Sequence, residues 1–265
     1  MTKLKDQVIW VTGASSGIGE ALAIQASSAG AYVILTARRQ HELERVRSLC
    51  AYPKKVAVLP LDLTAFDAEA AASAAAEPFG AVDILVNNAG WSQRSALVDT
   101  QMPVYRKLME LDFFAPVALT RAVMPSMLER KAGHVVMISS VAGKIGVPNR
   151  TGYSAAKHAL AGFTEAARAE LWRDGVRFTV VYPGYVRTPI SANALEGDGS
   201  QHHVMDATTA AGMSPEGCAE EIWDAVIAND EEAFVGSRAL AYVRLKRYAP
   251  RLFSFALKRV ARDGG

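Results

Sequence analysis

Short runs of apolar, largely β-branched residues recur through the first 185 positions: Val8–Val11, Ala31–Thr36, Val56–Leu61, Ile84–Val86, Val135–Ile138 and Phe178–Tyr182. None shows the polar alternation of a strand with one wet face. Such runs fit strands covered on both sides. Helical stretches of crossover length separate them, so the chain is expected to form a single-domain α/β fold, a doubly wound parallel sheet with helices on both faces. Half of the 265 residues are apolar, which excludes a disordered chain. No apolar run reaches the roughly 18–20 residues of a membrane span. Met1–Gln7 lead straight into the first strand pattern, without the features of a secretory leader. Cys50 and Cys218 are too few for a disulfide framework or a zinc site, and reduced thiols in a cytoplasmic protein without a metal are expected. The net charge of +2 gives no reason to expect a nucleic-acid partner.

Thr12-Gly13-Ala14-Ser15-Ser16-Gly17-Ile18-Gly19 follows the first run and precedes an alanine-rich helix. Gly13 permits a sharp turn, Gly17 lets the backbone approach a pyrophosphate, and Gly19 allows close helix–strand packing. Ser15, Ser16 and Ile18 share the turn, whose helix N-terminus offers N–H donors and a partial positive charge. The G-x-x-x-G-x-G spacing departs from the usual dinucleotide fingerprint. The second run ends in Arg38-Arg39, where an acid would bind the ribose 2′-hydroxyl of NAD. Two guanidiniums favour a 2′-phosphate, so the expected cofactor is NADP(H).

Tyr153 and Lys157 stand at i and i+4 and share a helical face. A neighbouring ammonium favours the phenolate and is expected to lower a tyrosine pKa of about 10 by roughly 1–3 units, making the phenol a usable acid or base. Ser140, at the end of the fifth run, can donate to a substrate carbonyl oxygen.

Together with Asp62-Leu63 after the third run, Asn87-Asn88-Ala89-Gly90 after the fourth and Pro183-Gly184 after the sixth, these motifs resemble the short-chain dehydrogenase/reductase family from Gln7 to about Asn229. The resemblance implies a Rossmann-type fold and hydride transfer between a nicotinamide and a carbonyl carbon. It implies that Tyr153 protonates the oxygen and that Lys157 also holds the nicotinamide ribose. It sets Asp62 at the adenine, Asn88 at the adenosine ribose region, and Pro183, Gly184, Val186 and Thr188 beside the nicotinamide, with Leu63, Ala89 and Gly90 also binding the cofactor. It further implies a homodimer or homotetramer through the helices containing Asp112 and Tyr153. Asp112 is a departure: the family usually has asparagine there, holding a water next to the lysine. A carboxylate can accept a hydrogen bond from water or from Lys157 but cannot donate as an amide does, and if ionised it holds the ammonium more tightly, so Asp112 is expected to shift the pH profile. The same departure admits an alternative, a catalytically weak or inactive NADPH-binding regulatory protein.

Residues 188–215 lose periodicity and are expected to form a substrate loop within a domain spanning 1–236. Trp91, Ser92, Val141, Ala142, Val147, Tyr185, Ile190 and Ala194 follow motif positions and imply a pocket for an apolar, lipid-like carbonyl or alcohol. Arg94 and Arg150 are read as solvated charges able to pair with an acidic group. His202 and His203 make a poor metal site. Residues 237–265 form a basic extension with eight Arg or Lys and one acid, Asp263. After Pro250, Leu252, Phe253, Ala256, Leu257 and Val260 repeat at helical spacing. Such a helix can pack on its own domain, on a partner subunit or on an anionic membrane surface as a peripheral contact. The loop, with Tyr182-Pro-Gly-Tyr before it, resembles the branch of the family called member 7B.

Overall fold

A computed structural model describes residues 3–262. Seven parallel strands form one sheet: β1 (Val8–Thr12), β2 (Tyr32–Ala37), β3 (Val56–Pro60), β4 (Ile84–Asn87), β5 (Gly133–Ile138), β6 (Val176–Pro183) and β7 (Glu232–Val235). Their order is β3-β2-β1-β4-β5-β6-β7. The strand order reverses between β1 and β4, and in folds of this kind ligands bind in the crevice at that point. The sixfold strand pattern of the sequence becomes a sheet of seven. β7 is four residues long and begins on a glutamate, too short and too polar at its start to announce itself.

The helices are α1 (Gly17–Ser28), α2 (Gln40–Leu49), α3 (Ala68–Ala76), α4 (Met102–Met109), α5 (Ala115–Arg130), α6 (Thr151–Leu171), α7 (Ala207–Ala210), α8 (Pro215–Ala228), α9 (Ser237–Tyr248) and α10 (Pro250–Arg262). Strand side chains alternate between two cores. Ile9, Val11, Val33 and Leu35 face α1, α2 and α8. Trp10, Ile34, Leu85 and Val135 face α3, α5 and α6. Burying a strand on both sides leaves no place for a polar face, which is why the runs read as continuous. The indole N–H of Trp10, fully buried, donates to Thr36 Oγ1 at 2.8 Å.

α4 and α5 are joined by a π-turn at Glu110–Phe114 into one continuous helix. Pro116 explains the widening: it has no N–H to donate to the Asp112 carbonyl. The Ala115 N–H reaches instead to Glu110 O, five residues back. By length and composition alone, Met102–Arg130 is apolar enough to cross a membrane, although the sequence shows no uninterrupted apolar run of that length. Its Leu108, Leu119 and Met127 are instead fully buried in the fold.

The basic extension folds as a helical hairpin. α9 packs on β7 and on the turn Val141–Gly143, and α10 packs on α9. Lys246 Nζ donates to Lys144 O at 2.6 Å. Of the residues singled out in the sequence, the side chains of Arg238 and Val260, and Asp263 as a whole, lie outside the described residues.

Replacing Leu119 with alanine should cost about 3 kcal/mol in urea unfolding, the usual effect of a cavity in a packed core. A cost below about 1 kcal/mol would mean that this helix does not face the core as described.

Candidate active site

The glycine turn forms because β1 must reverse into α1 within a few residues. Gly13 and Gly17 both have positive φ, +65° and +58°. A Cβ at Gly19 would collide with the Gly13 carbonyl and the Asn88 amide. Ser16 caps α1 without a side-chain hydrogen bond, so the first N–H groups of the helix have no side-chain acceptor at the cap. Ser16, Gly17 and Ile18, at that helix start, line a groove of about 670 Å³ that also takes in Ser15, Leu63 and Ala89. A helix N-terminus in this state suits a phosphate.

Arg38 and Arg39 line the same groove. The Arg38 guanidinium lies over the Trp91 ring, 5.4 Å from its centroid. Asp62 also lines the groove, and its Oδ1 accepts from the Thr64 N–H at 3.0 Å and the Thr64 hydroxyl at 2.7 Å. Burial pushes the carboxyl up, but those hydrogen bonds and the Arg38 charge outweigh it and hold it below the usual carboxylate range. Asp62 therefore caps its own turn. Asn88 likewise bonds to backbone, its Nδ2 donating to Thr12 O at 2.9 Å and to Gly13 O at 3.3 Å.

A second chamber of about 300 Å³ opens beside the groove and is lined by Ser140, Tyr153 and Lys157, with Pro183, Gly184 and Val186. Asn88, Gly90, Thr188, Ile18 and Ile190 line both cavities and form their common wall. Ser140 ends the β5 edge and caps the Val141–Gly143 turn, its Oγ accepting from the Ala142 N–H at 3.1 Å. Lys157 is buried; its Nζ donates to Ile138 O at 3.1 Å and lies 5.8 Å from the Tyr153 ring centroid. Gln93, fully buried, accepts from the Gly152 N–H at 2.7 Å and the Tyr153 N–H at 3.4 Å. It thereby fixes the first turn of α6, which carries both Tyr153 and Lys157. Sequence reasoning passed over Gln93, since nothing in a lone glutamine announces a distant helix N-terminus.

Asp112 is fully buried at the π-turn. Its Oδ1 accepts from the Trp91 N–H at 2.9 Å and lies 3.9 Å from Lys157 Nζ. Its Oδ2 is buried with no hydrogen-bond partner among the described residues. Burial pushes this carboxyl up to about 6, against the pull of the Lys157 ammonium and the Trp91 N–H. A Cβ at Gly90 would lie 2.5 Å from Asp112 Oδ1, so the glycine is needed for the carboxyl to sit there.

Arg94 and Arg150 are not solvated charges. Their side chains are 11% and 18% exposed, and both guanidiniums bond Asp206, Arg94 through Nε at 2.9 Å and Arg150 at 3.3 Å. Asp206 comes from the 188–215 loop, so the two arginines fasten that loop over the chamber. His202 pairs with Glu196 in the same loop. Among the described residues no cluster of His, Cys, Asp or Glu could hold a metal. Of the pocket residues read from sequence, Ser92, Val141, Ala142, Val147, Tyr185 and Ile190 line the chamber. Trp91 lines the groove instead, and Ala194 is fully buried without lining either.

The model of the short chain dehydrogenase family matches residues 7–199. The chain belongs to the short-chain dehydrogenase/reductase family. Human dehydrogenase/reductase SDR family member 7 is 48% identical over 77% of this chain and 64% of its own length. The rat family member 7B is 43% identical over 94% of this chain and 80% of its own. Among solved structures, a metagenomic short-chain oxidoreductase in complex with NADP is 33% identical with a TM-score of 0.71, covering 88% of this chain and 98% of that one. A short-chain dehydrogenase/reductase from Burkholderia phymatum in complex with NAD is 25% identical with a TM-score of 0.85, covering 95% and 96%. The chain is thus an oxidoreductase of this family with a Rossmann-like fold.

Asp112 titrates above the value of about 3.9 expected in an unfolded chain. A raised folded-state pKa contributes stability that is present below about pH 4 and lost as pH rises through about 6. Asp112→Asn should flatten stability across that window, and it should remove an inflection near pH 6 from the pH dependence of turnover. Superimposable profiles of variant and parent would show that Asp112 does not titrate as described.

Proposed function

We propose that this enzyme uses NADP(H) to interconvert a carbonyl and a secondary alcohol on an apolar, lipid-like substrate. The observation that carries the reading is the common wall of groove and chamber, with Ser140, Tyr153 and Lys157 opening on the chamber side. The glycine turn, the uncapped start of α1 and the Arg38–Arg39 pair fit a dinucleotide with a 2′-phosphate. Asp62 is the only acid lining that groove among the described residues, and its Oδ1 accepts both hydrogen bonds from Thr64.

A bound nicotinamide would supply or accept the hydride. The protein's own groups manage the oxygen. Because Ser140 Oγ accepts from Ala142 N–H, its own proton remains to be donated to a carbonyl oxygen. Tyr153 gives that oxygen its proton, and the Lys157 ammonium, tethered to Ile138 O, stabilises the charge left on the phenol. In the alcohol-oxidising direction the same groups act in reverse. The apolar side of the chamber, with Val141, Ile145, Val147 and Leu245, suits an apolar substrate. Two free, buried cysteines support a cytoplasmic setting. We place a homo-oligomer contact on the outer faces of the helices that carry Asp112 and Tyr153, supported by the half-exposed Phe114 ring.

Tyr153→Phe should lower NADPH-dependent carbonyl reduction by about 10²–10⁴-fold while leaving NADPH affinity unchanged. Turnover that survives the substitution would remove Tyr153 from its role. Wild-type protein that binds NADPH but turns over no carbonyl would favour the regulatory alternative. Arg38→Ala with Arg39→Ala should weaken NADPH binding by roughly tenfold or more and leave NADH binding unchanged, as fluorescence titration would read. Equal losses for both cofactors would contradict the assignment.

A further inference from the structure

The α9–α10 hairpin presents two faces of different character. The inner face closes the substrate chamber: Tyr242, Leu245, Phe253, Ala256 and Leu257 line it. Phe253 is buried, and positions 253, 256 and 257 lie on one stripe of α10. These residues fall after the segment that the family model matches, which ends at 199. The wall therefore lies outside the segment that the family model matches.

The outer face combines exposed apolar groups with positive charge. Tyr248 is 80% exposed, Phe255 66% and Leu252 57%. Exposed Arg247, Arg251, Lys258 and Arg259 stand among them, and no acidic residue occurs between Glu232 and Asp263. Leu252, Phe255 and Arg259 follow one another at helical steps, so apolar and basic groups interleave along a single surface. α10 packs chiefly against α9, which in turn is held by β7, the Val141–Gly143 turn and the bond from Lys246 to Lys144 O. The hairpin is thus fastened along one side of the chamber.

We propose that this hairpin is a lid that docks on an anionic lipid surface through its outer face, and that an apolar carbonyl substrate passes from that surface into the chamber beneath it. The second half of the proposal rests on the carbonyl reductase reading; the first does not. Interleaved cations and exposed Leu, Phe and Tyr suit the boundary between lipid headgroups and acyl chains. Cations gain from the negative surface potential of such a membrane. A second copy of the chain fits less well, because a self-complementary contact would set this cationic face against itself.

The full-length protein would be floated with phosphatidylcholine vesicles, with and without phosphatidylglycerol, at low and high salt. Retention should be about tenfold greater on the anionic vesicles and should fall with salt. The double variant Leu252→Glu/Phe255→Glu should lose that retention while keeping NADPH affinity, which reports an intact fold. Equal retention on both vesicle types, or retention undiminished in the double variant, would overturn the docking. So would a dimer that the double variant dissociates, since it would assign the outer face to a second copy. For the lid, Phe253→Ala should raise KM for a long-chain ketone about tenfold and leave KM for a small diketone and NADPH affinity unchanged, the loss of one well-packed aromatic contact. An unchanged long-chain KM would overturn the lid. Anionic-vesicle binding by a protein that reduces no carbonyl would support the docking and contradict the reductase reading.

Discussion

The Thr12 hydroxyl is the knot on which the site depends. It donates to Val86 O at 3.2 Å and accepts from the N–H groups of Asn88 at 3.0 Å and Ala89 at 3.1 Å. Asn88 returns the bond through its side chain to Thr12 O. These few bonds tie the ends of β1 and β4 together where the strand order reverses. They fix the glycine turn against the Asn88–Gly90 segment, and that segment is part of the wall shared by groove and chamber. Buried N–H groups left without such an acceptor would each cost about 1–3 kcal/mol, so the geometry is strongly specified.

From that knot the other parts follow by packing. Lys157 is carried by α6, whose first turn is held by Gln93, and its ammonium is tethered to β5 through Ile138 O. Asp112 approaches Lys157 because Pro116 forces the helix to widen and because Gly90 leaves room for a carboxylate. The result is a buried acid whose ionisation is opposed by burial and favoured by one ammonium. That balance makes the position sensitive to pH where an amide would be indifferent.

Much of this was legible in the residues. Strands covered on both faces announce themselves as uninterrupted apolar runs, and glycines with positive φ or no room for a Cβ must be glycines. The Tyr153–Lys157 spacing puts both side chains on one face of any helix. Other features depended on distant partners. Arg94 and Arg150 looked like surface charges because Asp206, which binds them both, lies far along the chain in an irregular loop. Gln93 and Thr12 act through bonds to backbone that no local pattern encodes. β7 escaped notice because a four-residue edge strand opening on a charged residue carries too little apolar signal. The amphipathic pattern of the C-terminal extension was visible, but which wall it would build was not. Only the fold brings Leu245 and Phe253 to the chamber that holds Tyr153.

Everything in the proposed chemistry requires that one dinucleotide span the groove and deliver its reactive ring at the wall shared with the chamber. A crystal structure of the protein with NADPH would decide this. The 2′-phosphate should lie against Arg38 and Arg39, the pyrophosphate on the N–H groups of Gly17–Gly19, and the nicotinamide between Gly90 and Thr188, facing Tyr153. A nicotinamide lying outside the chamber, or a 2′-phosphate turned away from both arginines, would refute it.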